Sequence, residues 1–323
     1  MVAVIKHRQL DSIHSATGCS PAPALNADSV FQAASLSKTV FAYAVLKLVA
    51  QGKLQLDAPV AGYLPHGYRH QIEPANAAPS ELVTDPRLQA ITVRMVLSHT
   101  SGLPNWASGP LHFQSAPGAI WHYSGEGYVL LQRAVEAVTG QALDQFMTAQ
   151  VLQPLGMNQS AYVWSEGIAQ NLIPGTKANG NPRSTMHLEH PNAAYSLYTT
   201  AADYGKFMVK LLNDSDMLSQ ITATPVTVEP RLGVSWGLGW GLATEGDDSY
   251  LWQWGNNSGY RAFVMASART GDGFVMLTNS ENGLKLAQPA AQKILGREHK
   301  LFDSSLLGDD VLTVACNTLR VCL

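Results

Sequence analysis

Apolar and polar residues alternate along the chain in three successive patterns. Residues 2–6 and about 9–15 alternate with a period of two and predict a short hairpin. From Leu36 to Gln51 the pattern becomes helical, apolar on nearly every side and stopped by Gly52, which predicts a buried central helix. Residues 60–190 mix short helices with loops, among them ITVRMVLSHTSGLP, SGEGYVLLQRAVEAVTG and ALDQFMTAQVLQPLGM. TTAADYGKFMVKLLND then reads as a capped amphipathic helix. SYLWQWG, YRAFVMASA and GFVMLTNS read as strands separated by turn residues, and LKLAQPAAQKIL as a closing helix. This order predicts an α+β fold: an antiparallel sheet drawn from both chain ends and flanked by helices, with an all-helical insertion between. The expected division is a discontinuous sheet domain (1–58 and 191–298), a helical domain (59–190) and a tail (299–323) to which the pattern assigns no role.

Composition narrows the function classes. The chain of 323 residues is 46% hydrophobic and only 14% charged, the balance of a globular protein with a sizeable core. A net charge of −3 with no Lys/Arg-rich run excludes nucleic acid as an expected partner. The most apolar stretch, TVFAYAVLKLVA, is short and holds Lys47, so no membrane span is predicted. No signal peptide is visible in the chain, which leaves the compartment open between cytoplasm and periplasm. The oligomeric state is likewise open. Cys19, Cys316 and Cys322 make no disulfide framework, although the last two can pair.

The chemistry begins in FQAASLSKTVFAYAVL. Residues three apart share a helix face, so Ser35 and Lys38 can touch at the helix start. One reading makes Ser35 a cap and Lys38 a snorkelling charge. The other makes Ser35 a nucleophile, activated by a lysine whose pKa burial lowers, with its own amide facing an oxyanion. Ser35 is the only serine with Lys three residues on, and it opens the most apolar helix. In WHYSGEGYVLLQ, Tyr123 is either a half-buried ring or a proton relay, its phenol more easily ionised beside an ammonium. In LWQWGNNSGYRAFVMAS, a strand reaching Gly255 lets a substrate come close, with the Asn256 amide as a second oxyanion donor; the plain alternative is a hairpin turning at Asn-Asn-Ser-Gly.

Order and spacing of these three segments resemble the serine β-lactamase-like family, which includes class C β-lactamases, DD-peptidases and family VIII carboxylesterases. SLSK resembles its Ser-x-x-Lys, YSGEGYVLLQ its Tyr-x-Asn loop, and QWGNNSGYRA its Lys-Thr-Gly or His-x-Gly strand. VLSHTSGLP, VLQPLGM, LYTTAADYGKF, GLGWGL and GFVMLTNSENG add to the likeness, which covers about residues 1–298. The resemblance implies Ser35 as nucleophile, Lys38 and Tyr123 as the proton-handling pair, and the Ser35 and Asn256 amides as oxyanion hole. It also implies substrate contacts at Gly125, Gln253, Trp254 and Gly255, and no cofactor. A register shifted by one residue would give the second amide to Asn257.

Two positions depart from the family pattern. Gly125 replaces the asparagine of Tyr-x-Asn, and Gln253 and Trp254 replace the lysine and threonine of Lys-Thr-Gly. A neutral Gln forgoes a charge-assisted bond to a substrate carboxylate, worth about 1.5–3 kcal/mol, and an indole suits an uncharged group. Arg261 is the one nearby residue that can restore a positive charge. The expected activity is therefore a carboxylesterase on short-chain or neutral esters. A β-lactamase, DD-peptidase or D-amino-acid amidase would use the same residues on an amide, and a non-catalytic binding homologue would use none.

Competing motifs are weaker. GVSWG makes Ser235 a candidate nucleophile elbow, but Pro225 and Pro230 argue against a central strand leading into it. HLEH (His187, His190) and HGYRH (His66, His70) lack a third metal ligand and read as solvated loop histidines. His99 reads as structural. No residue set is read as a metal site.

Overall fold

The computed structural model describes residues 1–18, 24–71 and 80–307. Cys19, Cys316 and Cys322, and the tail beyond residue 307, lie outside the described residues. β1 (Val2–Lys6) and β2 (Gln9–His14) form the expected hairpin. β3 (Phe31–Gln32) leads through a 3-10 turn, Ala34–Leu36, into α1 (Ser37–Ala50). The segment that follows holds a two-stranded ribbon, β4 (Arg69–Gln71) with β5 (Ser80–Leu82). It also holds α2 (Val93–Leu97), α3 (Gly125–Thr139), α4 (Leu143–Met147) and α5 (Glu166–Asn171). β6 (Tyr198–Thr199) pairs with β3, and α6 (Ala201–Leu212) and α7 (Ser215–Thr222) come next. The remaining strands are β7 (Val226–Glu229), β8 (Val234–Trp236), β9 (Gly241–Glu245), β10 (Asp248–Asn257), β11 (Tyr260–Ser267) and β12 (Gly273–Thr278), closed by α8 (Ala287–Leu295).

Eight strands make one antiparallel sheet in the order β2-β1-β12-β11-β10-β9-β8-β7. The N-terminal hairpin joins the C-terminal meander through β1 and β12, with Val2 opposite Met276 and Val4 opposite Phe274. The sheet is thus drawn from both chain ends. Three of its strands, β7 to β9, are not visible in the periodicity, because prolines and glycines interrupt their short alternation. Pro225 and Pro230 flank β7, the edge strand, where a missing backbone donor is tolerated.

The central helix is buried as its all-round apolar pattern requires. Every residue from Ser37 to Leu46 is inaccessible or nearly so. Phe41 of α1 packs on Tyr128 of α3 with ring centres 6.2 Å apart, and Tyr43 on Phe207 of α6 at 5.7 Å. The inward side chains of β11 and β12, including Ala262, Val264 and Leu277, complete this core. The opposite sheet face carries a second core of Trp236, Trp252, Phe263 and Phe274, covered by α8. The first residues of the tail belong to it: Leu301 is buried, Phe302 packs on Phe263 at 5.5 Å, and His299 bonds Glu245 at 2.8 Å. Residues 299–307 therefore seal the outer sheet face, a role their sequence pattern had not disclosed.

Candidate active site

The Ser35 turn is shaped by its neighbours. Ala34 holds a left-handed φ of 50°, uncommon for a residue with a side chain and found where surrounding contacts enforce it. Ser37 Oγ donates to Ala34 O at 2.5 Å and accepts from Leu197 N–H at 2.9 Å. Ala33 N–H donates to Leu197 O at 2.8 Å, fastening the turn to the strand pair β3–β6. Neither the turn nor α1 has a side-chain N-cap bond, so Ser35 does not serve as a cap.

Lys38 lies one turn later with no solvent exposure. Its Nζ donates to Ser35 Oγ at 3.2 Å and to Ala194 O at 2.9 Å. The rings of Tyr123, Tyr128 and Trp106 stand 4.8, 5.7 and 5.9 Å from it, a shell that offers π faces and no carboxylate. Burial penalises the ammonium and lowers the pKa from 10.5 to about 7.

Tyr123 enters from the loop before α3. Its ring lies between His99, at 4.3 Å, and Trp254, at 4.9 Å. Gln253 Nε2 donates to the phenol oxygen at 3.0 Å. Burial raises the phenol pKa, while hydrogen bonds with Ser35 and Gln253 pull the other way. The expected ease of ionisation beside an ammonium is thus reversed: desolvation dominates, and the neighbouring amine is itself easily neutral. His99 is fully buried, and Nδ1 accepts the Ser124 N–H at 3.0 Å. Burial, then the Lys38 charge, holds its pKa well below 6.5, so it stands as a neutral support for the Tyr123 loop.

β10 closes the group. Gly255 lies directly on the Ser35 turn: a Cβ there would fall 2.5 Å from Ala33 O and 3.2 Å from Ser35 N. Trp254 and Asn256 face a cavity of about 570 Å³, together with Ser35, Tyr123, Trp106 and Tyr195. Gln253, Gly255 and Gly125 are not among its lining residues. Gln253 is fully buried and turns inward, also donating to Ser35 O at 3.3 Å, so its amide is engaged with Tyr123 and Ser35. Gly125 sits behind Trp106, where a Cβ would meet the indole at 2.7 Å. Arg261 folds onto its own hairpin, donating to Asn257 O and Tyr260 O at 2.9 Å, and does not line the cavity. None of the described lining residues is charged.

Sequence reasoning missed Asn105, Trp106, Met186, Leu188 and Tyr195, all on loops that only the folded chain brings to Ser35. It also missed the Ala194 carbonyl, a backbone group with no side-chain signature. Ser235 lies within β8 and is followed by β9, without the helix a nucleophile elbow requires. His187 stacks on Trp164 at 3.8 Å, and His190 and His66 are exposed. His70 departs from the solvated reading: it is 1% exposed and faces Glu126, equally buried, at 3.2 Å. Among the described residues, no helix is long and apolar enough to cross a membrane.

The arrangement is a serine, a buried amine and a phenol converging at one cavity below a β-lactamase/transpeptidase-like α+β frame. A family model, Beta-lactamase, matches residues 2–297, and the chain belongs to that family and with it to the serine hydrolase superfamily. It is 35% identical over 171 residues to Esterase EstB of Burkholderia gladioli, covering 43% of this chain and 40% of that protein. It is 26% identical over 267 residues to Penicillin-binding protein 4 of Amycolatopsis lactamdurans, covering 71% and 66%. To the Lovastatin esterase of Penicillium rubens it is 26% identical over 245 residues, covering 64% and 61%. The matches thus span between 40% and 66% of these relatives' own length. Among solved structures, D-alanine carboxypeptidase AmpC from Burkholderia cenocepacia superposes with a TM-score of 0.73 at 18% identity, covering 91% of this chain and 92% of that one. A D-stereospecific amidohydrolase from Streptomyces sp. gives 0.70 at 19%, covering 91% and 93%. At such identities the structural likeness is one of fold.

Proposed function

We propose that the protein is a carboxylesterase that cleaves short-chain or neutral esters through a covalent acyl-enzyme on Ser35. The observation that carries this reading is the 3.2 Å approach of a buried, easily neutral Lys38 to Ser35 Oγ at a cavity whose described lining carries no charge. Lys38 takes the hydroxyl proton as Ser35 Oγ attacks the ester carbonyl. The oxyanion is held by the amides of Ser35 and Asn256. Asn257 closes the two-residue turn opposite Tyr260, where paired residues exchange both backbone bonds; successive amides alternate in direction, so the Asn256 amide points away from β11 and is free of that ladder, which supports this role. As the carbonyl reforms, the proton passes from the Lys38 ammonium through the Tyr123 hydroxyl to the departing alkoxide. Water then attacks the acyl-enzyme by the same relay in reverse and releases the acid.

The neutral lining supports esters over substrates with a free carboxylate, as does the inward-facing Gln253. The similarity to two proteins named as esterases agrees with it. The test compares p-nitrophenyl butyrate, nitrocefin and a D-Ala-D-Ala peptide on one preparation. Butyrate turnover should dominate, Ser35→Ala should abolish it, and Ser235→Ala should retain most of it. Retained activity in Ser35→Ala would remove the assignment, and dominant turnover of either amide would move the substrate class.

A further inference from the structure

We infer that Trp106 sets acyl specificity, forming with Tyr195 the wall against which the acid portion of the ester lies, and that this wall selects flat or bulky apolar acyl groups. The inference rests on the esterase reading and concerns the same cavity. Trp106 remains 43% exposed although it is a large apolar side chain, and the exposed surface belongs to the cavity wall. Its ring meets Tyr195 edge-to-face, with centres 5.4 Å apart and planes at 83°.

The indole is held in place from both sides. Asn105 O accepts the amides of Gly125 and Glu126 at 3.1 and 3.2 Å, and Asn105 Oδ1 accepts Gly125 N–H at 3.1 Å. On the other flank, Ala107 N–H donates to Glu126 Oε1 at 2.9 Å, from a carboxylate that is itself buried. Between these anchors the ring occupies the recess above Gly125, where any β-carbon would lie 2.7 Å from it. Gly125 is therefore the residue that admits the indole. The rest of the wall is fixed as well: Asn257 Nδ2 donates to Tyr195 O at 3.4 Å and Gln32 Nε2 to Met186 O at 2.9 Å. A wall ordered before binding spends little entropy on its ligand.

Its side of the cavity identifies which part of the substrate it meets. The alcohol leaves where Tyr123 can give it a proton, and Trp254 is the lining ring tilted against Tyr123, at 4.9 Å. Trp106 packs on Tyr195 instead, which leaves it to the acyl group that stays on Ser35 Oγ.

The experiment measures kcat/KM for two pairs of esters: p-nitrophenyl phenylacetate against p-nitrophenyl acetate, and phenyl acetate against ethyl acetate. Trp106→Ala should lower the phenylacetate-to-acetate ratio about tenfold, the effect of losing one aromatic contact with its buried area, and leave the phenyl-to-ethyl alcohol ratio within about twofold. Trp106→Phe should keep most of the acyl preference. Gly125→Ala, on a different element, would press on the indole and on the Asn105 carbonyl alike, each 2.7 Å from the new β-carbon, and should also lower the acyl ratio. An active enzyme whose acyl ratio is unmoved in Trp106→Ala, or whose alcohol ratio moves instead, overturns this inference alone. A wild-type protein with no Ser35-dependent hydrolysis overturns the esterase reading and this inference with it.

Discussion

Lys38 reaches Ser35 across 3.2 Å from a position with no solvent exposure, while Ser35 itself opens to the cavity. The hydroxyl is available to a substrate, while the amine is enclosed by protein groups: the hydroxyl, the Ala194 carbonyl and the surrounding rings. An amine kept dry in this way is a base at neutral pH, which an exposed lysine is not.

The pH dependence of ester hydrolysis follows from that burial. With the Lys38 pKa at about 7, the neutral amine grows from a minor to the major form between pH 6 and 8. kcat/KM should rise through an apparent pKa near 7 and level off above it. Lys38→Arg, charged at every accessible pH, should lose about 10²–10⁴ in kcat. A profile flat across pH 6–8 would assign the base elsewhere.

The same burial weakens the fold. In the unfolded chain the amine keeps its ordinary pKa of 10.5, so between about pH 7 and 10.5 the unfolded state binds more protons and native stability rises with pH. Below pH 7 the penalty is fully present; above 10.5 it is gone. Lys38→Met should therefore be inactive yet more stable than wild type, by about 2–4 kcal/mol at pH 6 after allowing for the Ala194 carbonyl left without its donor. The gain should shrink by pH 9. Urea unfolding at the two pH values reads both numbers, and a variant less stable at pH 6 would contradict the cost assigned to the buried charge.

Gln253 should prove a positioning residue. Gln253→Leu removes the donors to Tyr123 Oη and Ser35 O from a site without solvent. Stability should fall by about 1–3 kcal/mol. The larger effect should be on kcat, with KM for neutral esters changed by less than about threefold, since the side chain does not line the cavity. A rise in KM with kcat intact would mean that it binds substrate after all.

Gly255→Ala tests the contact between strand and turn. The new methyl would press on Ala33 O and Ser35 N, forcing the strand and the Ser35 amide apart. Loss of one oxyanion donor from its geometry corresponds to about 10²–10³ in kcat. The thermal transition should persist, because β10 remains paired with β9 and β11. Full activity in this variant would argue against the Ser35–Asn256 pair as the oxyanion hole.

Much of the frame could be read along the chain. The N-terminal hairpin, the buried α1, the capped α6 and the three long strands β10–β12 each carry their period within one contiguous segment, and local period is what a sequence displays directly. The approach of Ser35 and Lys38 was legible for the same reason, since residues three apart across a helix start share a face, although contacts with Leu197 shape the turn itself. The edge strands β7–β9 were not, because they are short and owe their pairing to neighbours. The inward turn of Gln253, the neutralisation of Lys38 and the seating of Trp106 over Gly125 were decided by tertiary structure alone. Each depends on what lies on the far side of a residue: the phenol of another loop, a shell of rings from three segments, a glycine nineteen positions along. Spacing in sequence fixes which side chains can meet within a single element. Desolvation and close packing between elements are properties of the assembled core, and here they set the reactivity of the amine and the shape of the cavity above it.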